Sequence, residues 1–108
     1  MKGYSTEHLL GLLGTVTTPD NEIYNYTAPN VNAPATFDAR TQWPKHIHEI
    51  RDQQSCGSCW AFGSTEAFSD RFAIASNGAI NVVLSPQDLV ACDSGNYGCQ
   101  GGYLNKAW

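Results

Sequence analysis

Cys59 follows a short run of small and polar residues and precedes a segment with helical periodicity, and Gln53 lies six positions before it. A cysteine in this setting could act as a nucleophile, but an ordinary thiol has a pKa of about 8.5 and must first lose its proton. The amides of a first helical turn favour an anion by only about 0.3–1 kcal/mol. Covalent catalysis by this thiol therefore requires a neighbouring imidazolium as well.

The three histidines of the chain are poor candidates for that partner. His8 lies far upstream of the cysteine, and His46 and His48 flank Ile47 shortly after a Trp-Pro pair. A catalytic base must come within about 3 Å of the atom it deprotonates. We expect all three histidines to be exposed or packed in loops, and assign none of them to catalysis.

The four cysteines, Cys56, Cys59, Cys92 and Cys99, also allow two other interpretations. A zinc site could use the first pair, but the second pair is spaced more widely than a zinc knuckle requires. A thioredoxin-like dithiol would need a strand–helix–strand pattern around it, and no such pattern precedes Cys56. Spacing disfavours both the zinc and the redox module but leaves them open.

The decapeptide from Gln53 to Phe62 reads Gln-Gln-Ser-Cys-Gly-Ser-Cys-Trp-Ala-Phe and resembles the local signature of papain-type cysteine peptidases at every defined position. Other segments are similar to the cathepsin B-like branch of that family. These are Phe37–Arg40, Gln42–Pro44, Glu49–Gln53, Ser69–Arg71, Leu84–Ser85 with Asp88–Leu89, and Gly98–Tyr103 with Ala107–Trp108. The resemblance is clear over residues 34–108 and loose before them.

This resemblance implies an α+β, papain-like cysteine proteinase fold, of which only the helical N-terminal lobe and a propeptide tail are present. It implies that Cys59 attacks a peptide carbonyl and forms a thioester. Gln53 resembles the side-chain donor of the family's oxyanion site, where one donor contributes about 2.7–4 kcal/mol. Gln54 stands where the family usually has glycine, so a positive φ there would carry strain.

The resemblance also implies how the cysteines pair. The family joins the positions of Cys56 and Cys99 in a disulfide, which leaves Cys59 free and sends Cys92 to a partner beyond Trp108. The catalytic histidine and its orienting asparagine lie far downstream of the cysteine in the family. We therefore expect them beyond residue 108, and expect the 108-residue chain alone to be inactive.

Glycines near the two motifs are the candidate substrate-binding residues. Gly102 can offer its backbone N–H and C=O to an extended peptide, because a glycine lets another backbone approach closely. The resemblance adds Gly57 and Gly101 to this set and places Tyr103 in the wall of a substrate pocket. A site of this kind recognises the main chain of the peptide, so it predicts broad peptide specificity.

The elements that position these residues divide the chain near residue 34. Residues 1–33 contain a short helix, predicted over residues 5–14 with a buried leucine-rich turn, and then a connector rich in proline and asparagine. By resemblance this part is the end of a propeptide that lies along the active-site cleft and is cut near Val31–Ala35. The alternative is a flexible leader without a blocking role. Asn25-Tyr26-Thr27 fits the N-glycosylation pattern.

Residues 34–108 are predicted to be mainly helical. A helix begins at Cys59 with Ser58 as its cap and ends at Asn77-Gly78. The periodicity assigns its apolar stripe to residues 61, 65, 68, 72 and 75, and predicts that Glu66, Asp70 and Arg71 face water. Residues 79–84 are predicted to be extended, Ser85-Pro86 to open a second helix, and Gly102 or Tyr103 a third. Trp60 is expected behind the thiol, and Trp43 and Trp108 in the core.

The composition of the chain argues against two classes of binding partner. The net charge is −4 and no basic run is present, which argues against nucleic acid and anionic membranes as partners. We expect no metal and no cofactor. The resemblance implies peptide and protein substrates, the chain's own propeptide, a C-terminal lobe and cystatin-type inhibitors as partners, in a lysosomal, endosomal or secreted location. A non-catalytic peptide-binding fragment or pseudo-enzyme is the second functional class.

Overall fold

The computed structural model describes residues 3–22, 27 and 29–108. Four α-helices, two short strands and three 3-10 turns make up the described elements. In chain order they are α1 (Thr6–Gly11), β1 (Thr15–Val16), a 3-10 turn (Asp20–Glu22), α2 (Ala39–Gln42), α3 (Cys59–Ala75), α4 (Pro86–Cys92), a 3-10 turn (Gly98–Gln100), β2 (Gly102–Tyr103) and a 3-10 turn (Leu104–Lys106). Asn25 lies outside the described residues, so glycosylation there stays a prediction.

The leader, residues 3–22, begins with the predicted helix. Ser5 caps α1 by accepting a hydrogen bond from the backbone N–H of His8, at 3.1 Å. The helix ends at Gly11, earlier than predicted, and the expected buried turn is wrong because Leu10 and Leu13 are 61% and 74% exposed. Six helical residues are too few to bury an apolar face, so the leader is held in place mainly by contacts of the residues after Gly11.

Helix α3 is the centre of the structure and buries a face of small residues. The buried residues are Trp60, Ala61, Ser64, Thr65, Ser69 and Ala73. The serine and threonine hydroxyls on this face bond to carbonyls one turn back, such as Ser69 to the Thr65 carbonyl at 2.6 Å. The predicted stripe is therefore only partly right, since Phe68 and Phe72 are 40% and 36% exposed. Small side chains occupy the buried face because the neighbouring loops pack close to the helix.

Two polar clusters attach the segment before Cys59 to α3. Arg51 bonds to Glu66, to the Thr65 hydroxyl and to the Leu84 carbonyl, at 3.0–3.3 Å. In the second cluster the Asp70 carboxylate on the same helix accepts the backbone N–H of His48 at 3.0 Å and lies 2.7 Å from its ring Nδ1. The prediction that Glu66 and Asp70 simply face water is wrong, because both are half-buried and bonded to this segment.

Helix α4 follows the predicted pattern, whereas its flanks do not. Ser85 caps the helix through the N–H of Asp88, and Pro86 is the first helical residue. The expected extended run over residues 79–84 forms no strand in the described part of the chain. Its last residue, Leu84, instead donates its N–H to the Ser69 hydroxyl at 3.0 Å. Ser69 thus fixes this run directly against α3.

The predicted third helix is also wrong. Gly102 and Tyr103 form strand β2, which pairs in parallel with β1, and only a single 3-10 turn follows. Extended backbone is required here because β2 hydrogen-bonds to the leader. Trp108 is 58% exposed, with its ring edge-on to Phe68, so its expected core position is wrong; Trp43 is half-buried against Phe37.

The N-terminal edge of the 34–108 part carries a small charged turn. Asp38 caps α2 and accepts hydrogen bonds from the side chain and the backbone N–H of Arg40. These contacts lower the pKa of the Asp38 carboxyl, and the same carboxylate raises the pKa of the Arg40 guanidinium. No helix among the described residues has the length and apolarity that crossing a membrane requires.

Candidate active site

Cys59 is the first residue of α3, as predicted, and its side chain is half-buried. Ser58 precedes it in the capping position, but its hydroxyl makes no capping hydrogen bond and points to the Cys56 carbonyl instead, at 3.5 Å. The expected side-chain cap is therefore wrong. Trp60, the next residue along α3, is completely buried, with its indole N–H bonded to the Gly98 carbonyl at 3.0 Å. The start of α3 is fixed by this ring.

Gln53 lies on the turn before Cys59, with its amide directed at two carbonyls. Its Nε2 atom donates to the Leu12 carbonyl of the leader and to the Cys56 carbonyl, both at 2.9 Å. The next residue, Gln54, has φ 53°, so the anticipated positive φ is present. The Asp52 carboxylate accepts the Gln54 N–H at 2.8 Å and stabilises this strained turn.

A disulfide joins Cys56 and Cys99, the pairing that the resemblance implied, across a sequence separation of 43. The Gly57 N–H adds a hydrogen bond to the Cys99 carbonyl at 3.0 Å. Together they connect the loop before α3 to the loop before β2. A zinc or redox pair made of Cys56 and Cys59 would need both thiols free, but Cys56 is part of the disulfide. The free cysteines among the described residues are Cys59 and the exposed Cys92. No cluster of three or more potential metal ligands occurs in residues 3–22, 27 and 29–108.

The turn that carries Gln53 forms one wall of the site, and the segment Gly101-Gly102-Tyr103 forms the other. Gly101 has φ 113°, a conformation that favours glycine. A Cβ at Gly102 would come within 2.6 Å of the Trp60 ring and 2.7 Å of the Asn96 side chain, so no larger residue fits. Asn96 is buried and accepts the Tyr103 N–H at 2.6 Å. The Tyr103 ring carries Lys106 over its face, with Nζ 4.4 Å from the centroid.

The leader lies across the space between these two walls. The Gly14 carbonyl accepts the Gly102 N–H at 2.7 Å, and Thr15 and Val16 pair in parallel with Gly102 and Tyr103. The Gly14 N–H donates to the Cys59 sulfur at 3.2 Å. A Cβ on Gly14 would come within 1.9 Å of the Gly57 carbonyl oxygen, so the two backbones are in direct contact. The leader thus occupies the position of an extended peptide at the thiol.

A profile of the papain family of cysteine proteases matches residues 33–108, most of the chain. The chain belongs to this family. It is 56% identical over 94 residues to cathepsin B-like cysteine proteinase 4 of Caenorhabditis elegans, a match that covers 84% of the chain and 28% of that protein. A cathepsin B-like cysteine proteinase of Schistosoma japonicum is 52% identical over 83 residues, covering 73% and 24% respectively. The chain spans about a quarter of the length of these curated relatives.

A solved structure supports the same family and the predicted α+β fold. The match is proCathepsin B S9 from Trypanosoma congolense, with a TM-score of 0.79 and 26% identity. It covers 94% of this chain and 37% of that one, so the leader as well as the family segment takes part in the alignment. The predicted fold class, part of a papain-like proteinase, is confirmed.

The histidines of this papain-family chain are engaged away from the thiol. His8 stacks on Tyr4, with ring centroids 4.8 Å apart. His48 bonds through Nδ1 to Asp70 at 2.7 Å and through Nε2 to Asn81 at 2.8 Å. The Nδ1 atom of His46 is buried without a hydrogen-bond partner in the described part of the chain. None of their contacts involves Cys59.

Sequence reasoning missed three residues that hold the site together. Arg51 positions the turn that carries Gln53, and Asn96 holds β2 in place through the Tyr103 N–H. Thr15 lies with its hydroxyl 3.1 Å from the Cys59 sulfur. An arginine two residues before the amide could have suggested a brace, but nothing local in the sequence marks Asn96 or Thr15, since both act on residues distant along the chain.

Proposed function

We propose that the full-length protein is a cysteine peptidase in which Cys59 is the nucleophile. The sulfur attacks a peptide carbonyl, the amine leaves, and water then releases the acid from the thioester. The Gln53 amide and the Cys59 N–H donate to the oxyanion that forms on the attacked carbonyl. The base is a histidine other than His8, His46 and His48, because the contacts of these three lie elsewhere.

The observation that carries this proposal is the way the leader is held. An extended segment places one carbonyl on the Gln53 amide, another on the Gly102 N–H and an amide against the Cys59 sulfur. These are the groups a peptidase needs for the oxyanion, for the substrate main chain and for attack. A peptide substrate would use the same three groups once the leader has left.

We further infer that residues 1–33 are the end of a propeptide and residues 34–108 the start of the peptidase domain, with the cut near Val31–Ala35. The match to the family profile begins at residue 33, and the leader contacts the candidate nucleophile, which both support this division. A leader without a blocking role would have no reason to pair with β2. Gly57, Gly101 and Tyr103 complete the substrate-binding wall in this proposal.

The proposed substrates are peptides and proteins, bound mainly through their backbone. Cystatin-type inhibitors would enter the same cleft, and the proposed C-terminal lobe would supply the histidine, its orienting asparagine and a partner for Cys92. A location in lysosomes or endosomes, or secretion, is supported by the Cys56–Cys99 disulfide, because such bonds persist in oxidising compartments.

The test is hydrolysis of a fluorogenic dipeptide amide by the full-length protein after removal of the leader. Cys59→Ala is expected to reduce kcat/KM by at least about 10⁴-fold, since the nucleophile itself is lost. Ser55→Ala, at an exposed position of the same motif, is the matched control and is expected to stay within about two-fold. Equal activity of the Cys59→Ala variant would refute the assignment.

Two further results address the alternatives. The 108-residue chain alone is expected not to hydrolyse the substrate, because it lacks a base near the sulfur. If the processed full-length protein binds a peptide aldehyde but never cleaves a substrate, the second class, a peptide-binding pseudo-enzyme, replaces the peptidase. That class is supported by the β1–β2 pairing, in which this half of the cleft holds an extended segment.

A further inference from the structure

The leader touches the candidate nucleophile with two consecutive polar groups. The Gly14 backbone N–H lies 3.2 Å from the Cys59 sulfur and the Thr15 hydroxyl oxygen lies 3.1 Å from it. We propose that these two groups form a sulfur cap, which masks the nucleophile by hydrogen bonding and not only by obstruction. The proposal rests on Cys59 being the nucleophile of the proposed peptidase and adds how that site is kept silent.

The direction of these hydrogen bonds follows from the chemistry of the groups. A backbone N–H can only donate, so the sulfur must accept from Gly14. The Thr15 hydroxyl can donate or accept, but an ionised sulfur carries no hydrogen and leaves it only the donor role. The cap therefore places one fixed donor, the Gly14 N–H, and one hydroxyl able to donate, that of Thr15, against the sulfur.

The position of the cap is fixed from both sides. The Gly14 carbonyl is held by the Gly102 N–H at 2.7 Å, and the Gly14 α-carbon lies against the Gly57 backbone. The same residue therefore donates to the sulfur and accepts from β2, which leaves it little freedom to turn. Thr15 follows in register with Gly102, so its hydroxyl reaches the sulfur from an extended strand.

The cap explains why threonine stands at position 15. Its side chain is exposed, so apolar packing does not account for the choice of residue. Valine has the same shape without the hydroxyl, whereas serine keeps the hydroxyl and loses the methyl group. These two substitutions separate the hydrogen bond from the shape of the side chain.

The experiment measures the rate at which iodoacetamide alkylates Cys59 in the full-length precursor with its leader uncut. The sulfur displaces iodide and forms a carbon–sulfur bond, and mass spectrometry of the peptide that contains Cys59 follows the modification. Thr15→Val is expected to raise the rate constant about five-fold, the effect of losing one hydrogen bond that holds the leader on the sulfur. Thr15→Ser is expected to stay within about two-fold of the unchanged precursor.

Thr17→Val is the matched control, because Thr17 is an exposed threonine of the same leader. It is expected to leave the alkylation rate within about two-fold. The sulfur cap is refuted if Cys59 is alkylated no faster in Thr15→Val than in Thr15→Ser, whether or not both variants react faster than the unchanged precursor. If the Thr15→Val precursor does not fold, a synthetic leader peptide added to the processed protein gives the same comparison.

The readout separates this proposal from the proposed function. Alkylation of the precursor requires no turnover, so it reports on the cap even if the processed protein cleaves no peptide. Conversely, removal of the leader takes residue 15 away, and processed protein from the Thr15→Val precursor must have the same kcat/KM as processed wild type. If neither of these two processed proteins hydrolyses the substrate, the proposed peptidase function is refuted, but the alkylation rates of the precursors still test the sulfur cap.

Discussion

Gly14 is the leader position at which a single methyl group should have the largest effect. A Cβ there would lie 1.9 Å from the Gly57 carbonyl oxygen and 2.2 Å from its carbon, whereas real contacts of a Cβ stay beyond 3.0 Å. Both obstructing atoms belong to backbone next to the Cys56–Cys99 disulfide, so they cannot move aside as a flexible side chain would. In Gly14→Ala the leader must therefore lift away by more than about 1 Å.

That displacement is larger than the hydrogen bonds of the leader tolerate. The bond from Gly102 to the Gly14 carbonyl is 2.7 Å long, and the bonds to the Cys59 sulfur are 3.1–3.2 Å. Each is expected to contribute about 0.5–1.5 kcal/mol net, so the loss of two costs about 1–3 kcal/mol. We expect the leader to bind about 5- to 150-fold more weakly, since about 1.4 kcal/mol is a factor of ten.

The assay is inhibition of the processed protein by synthetic peptides that correspond to residues 3–22. The wild-type peptide is compared with Gly14→Ala and with Gly11→Ala. Gly11 is the matched control because a Cβ there would meet no atom within 4 Å. The inhibition constant of the Gly11→Ala peptide is expected to stay within about three-fold of that of the wild-type peptide. If the Gly14→Ala peptide inhibits as strongly as the Gly11→Ala peptide, the steric argument is refuted. If the wild-type peptide does not inhibit at all, the leader does not bind where the structure places it.

Two predictions concern the support of the site. Arg51→Met is expected to lower the free energy of unfolding by about 1–3 kcal/mol, measured by urea denaturation, because half-buried oxygen acceptors lose their donor. Arg71→Met, at an exposed position of α3, should change it by less than about 0.5 kcal/mol, and equal effects would contradict the brace. Replacing Cys56 and Cys99 together by alanine is expected to cost about 2–4 kcal/mol; an unchanged denaturation midpoint would show that the disulfide is not formed.

The parts of the structure that the sequence predicts well are those with local causes. The end of α3 at Ala75, just before the positive-φ pair Asn77-Gly78, and the Ser85-Pro86 start of α4 depend on turn and capping chemistry within a few residues. The start of α3 at Cys59 is also predicted correctly, although Ser58 makes no capping hydrogen bond there. The positive φ of Gln54 is instead anticipated from the family resemblance, because the family usually has glycine at this position. Family resemblance adds the pairing of two distant cysteines, which spacing alone leaves open.

The parts that the sequence predicts poorly depend on contacts between distant segments. The buried face of α3 consists of small residues, because loops pack closely on it, while the larger Phe68 and Phe72 remain partly exposed. A search for a stripe of large apolar side chains therefore includes Ala61 and Thr65, which are buried, but also Phe68 and Phe72, which are partly exposed. The sequence predicts a third helix after Gly102, but pairing with the leader, at the other end of the chain, makes that segment extended.

The contacts of the leader around Cys59 depend very little on the side chains of the leader. The Leu12 carbonyl, the Gly14 carbonyl and the Gly14 N–H are main-chain groups that nearly any residue could supply. Only the missing Cβ of Gly14 and the hydroxyl of Thr15 make demands on residue type. In the proposed peptidase, main-chain recognition would suit a cleft that accepts many peptides, and those two positions would distinguish the leader from a substrate. A leader that keeps both should therefore inhibit even when its neighbouring leucines are replaced by other residues, whereas a leader that loses either should inhibit more weakly.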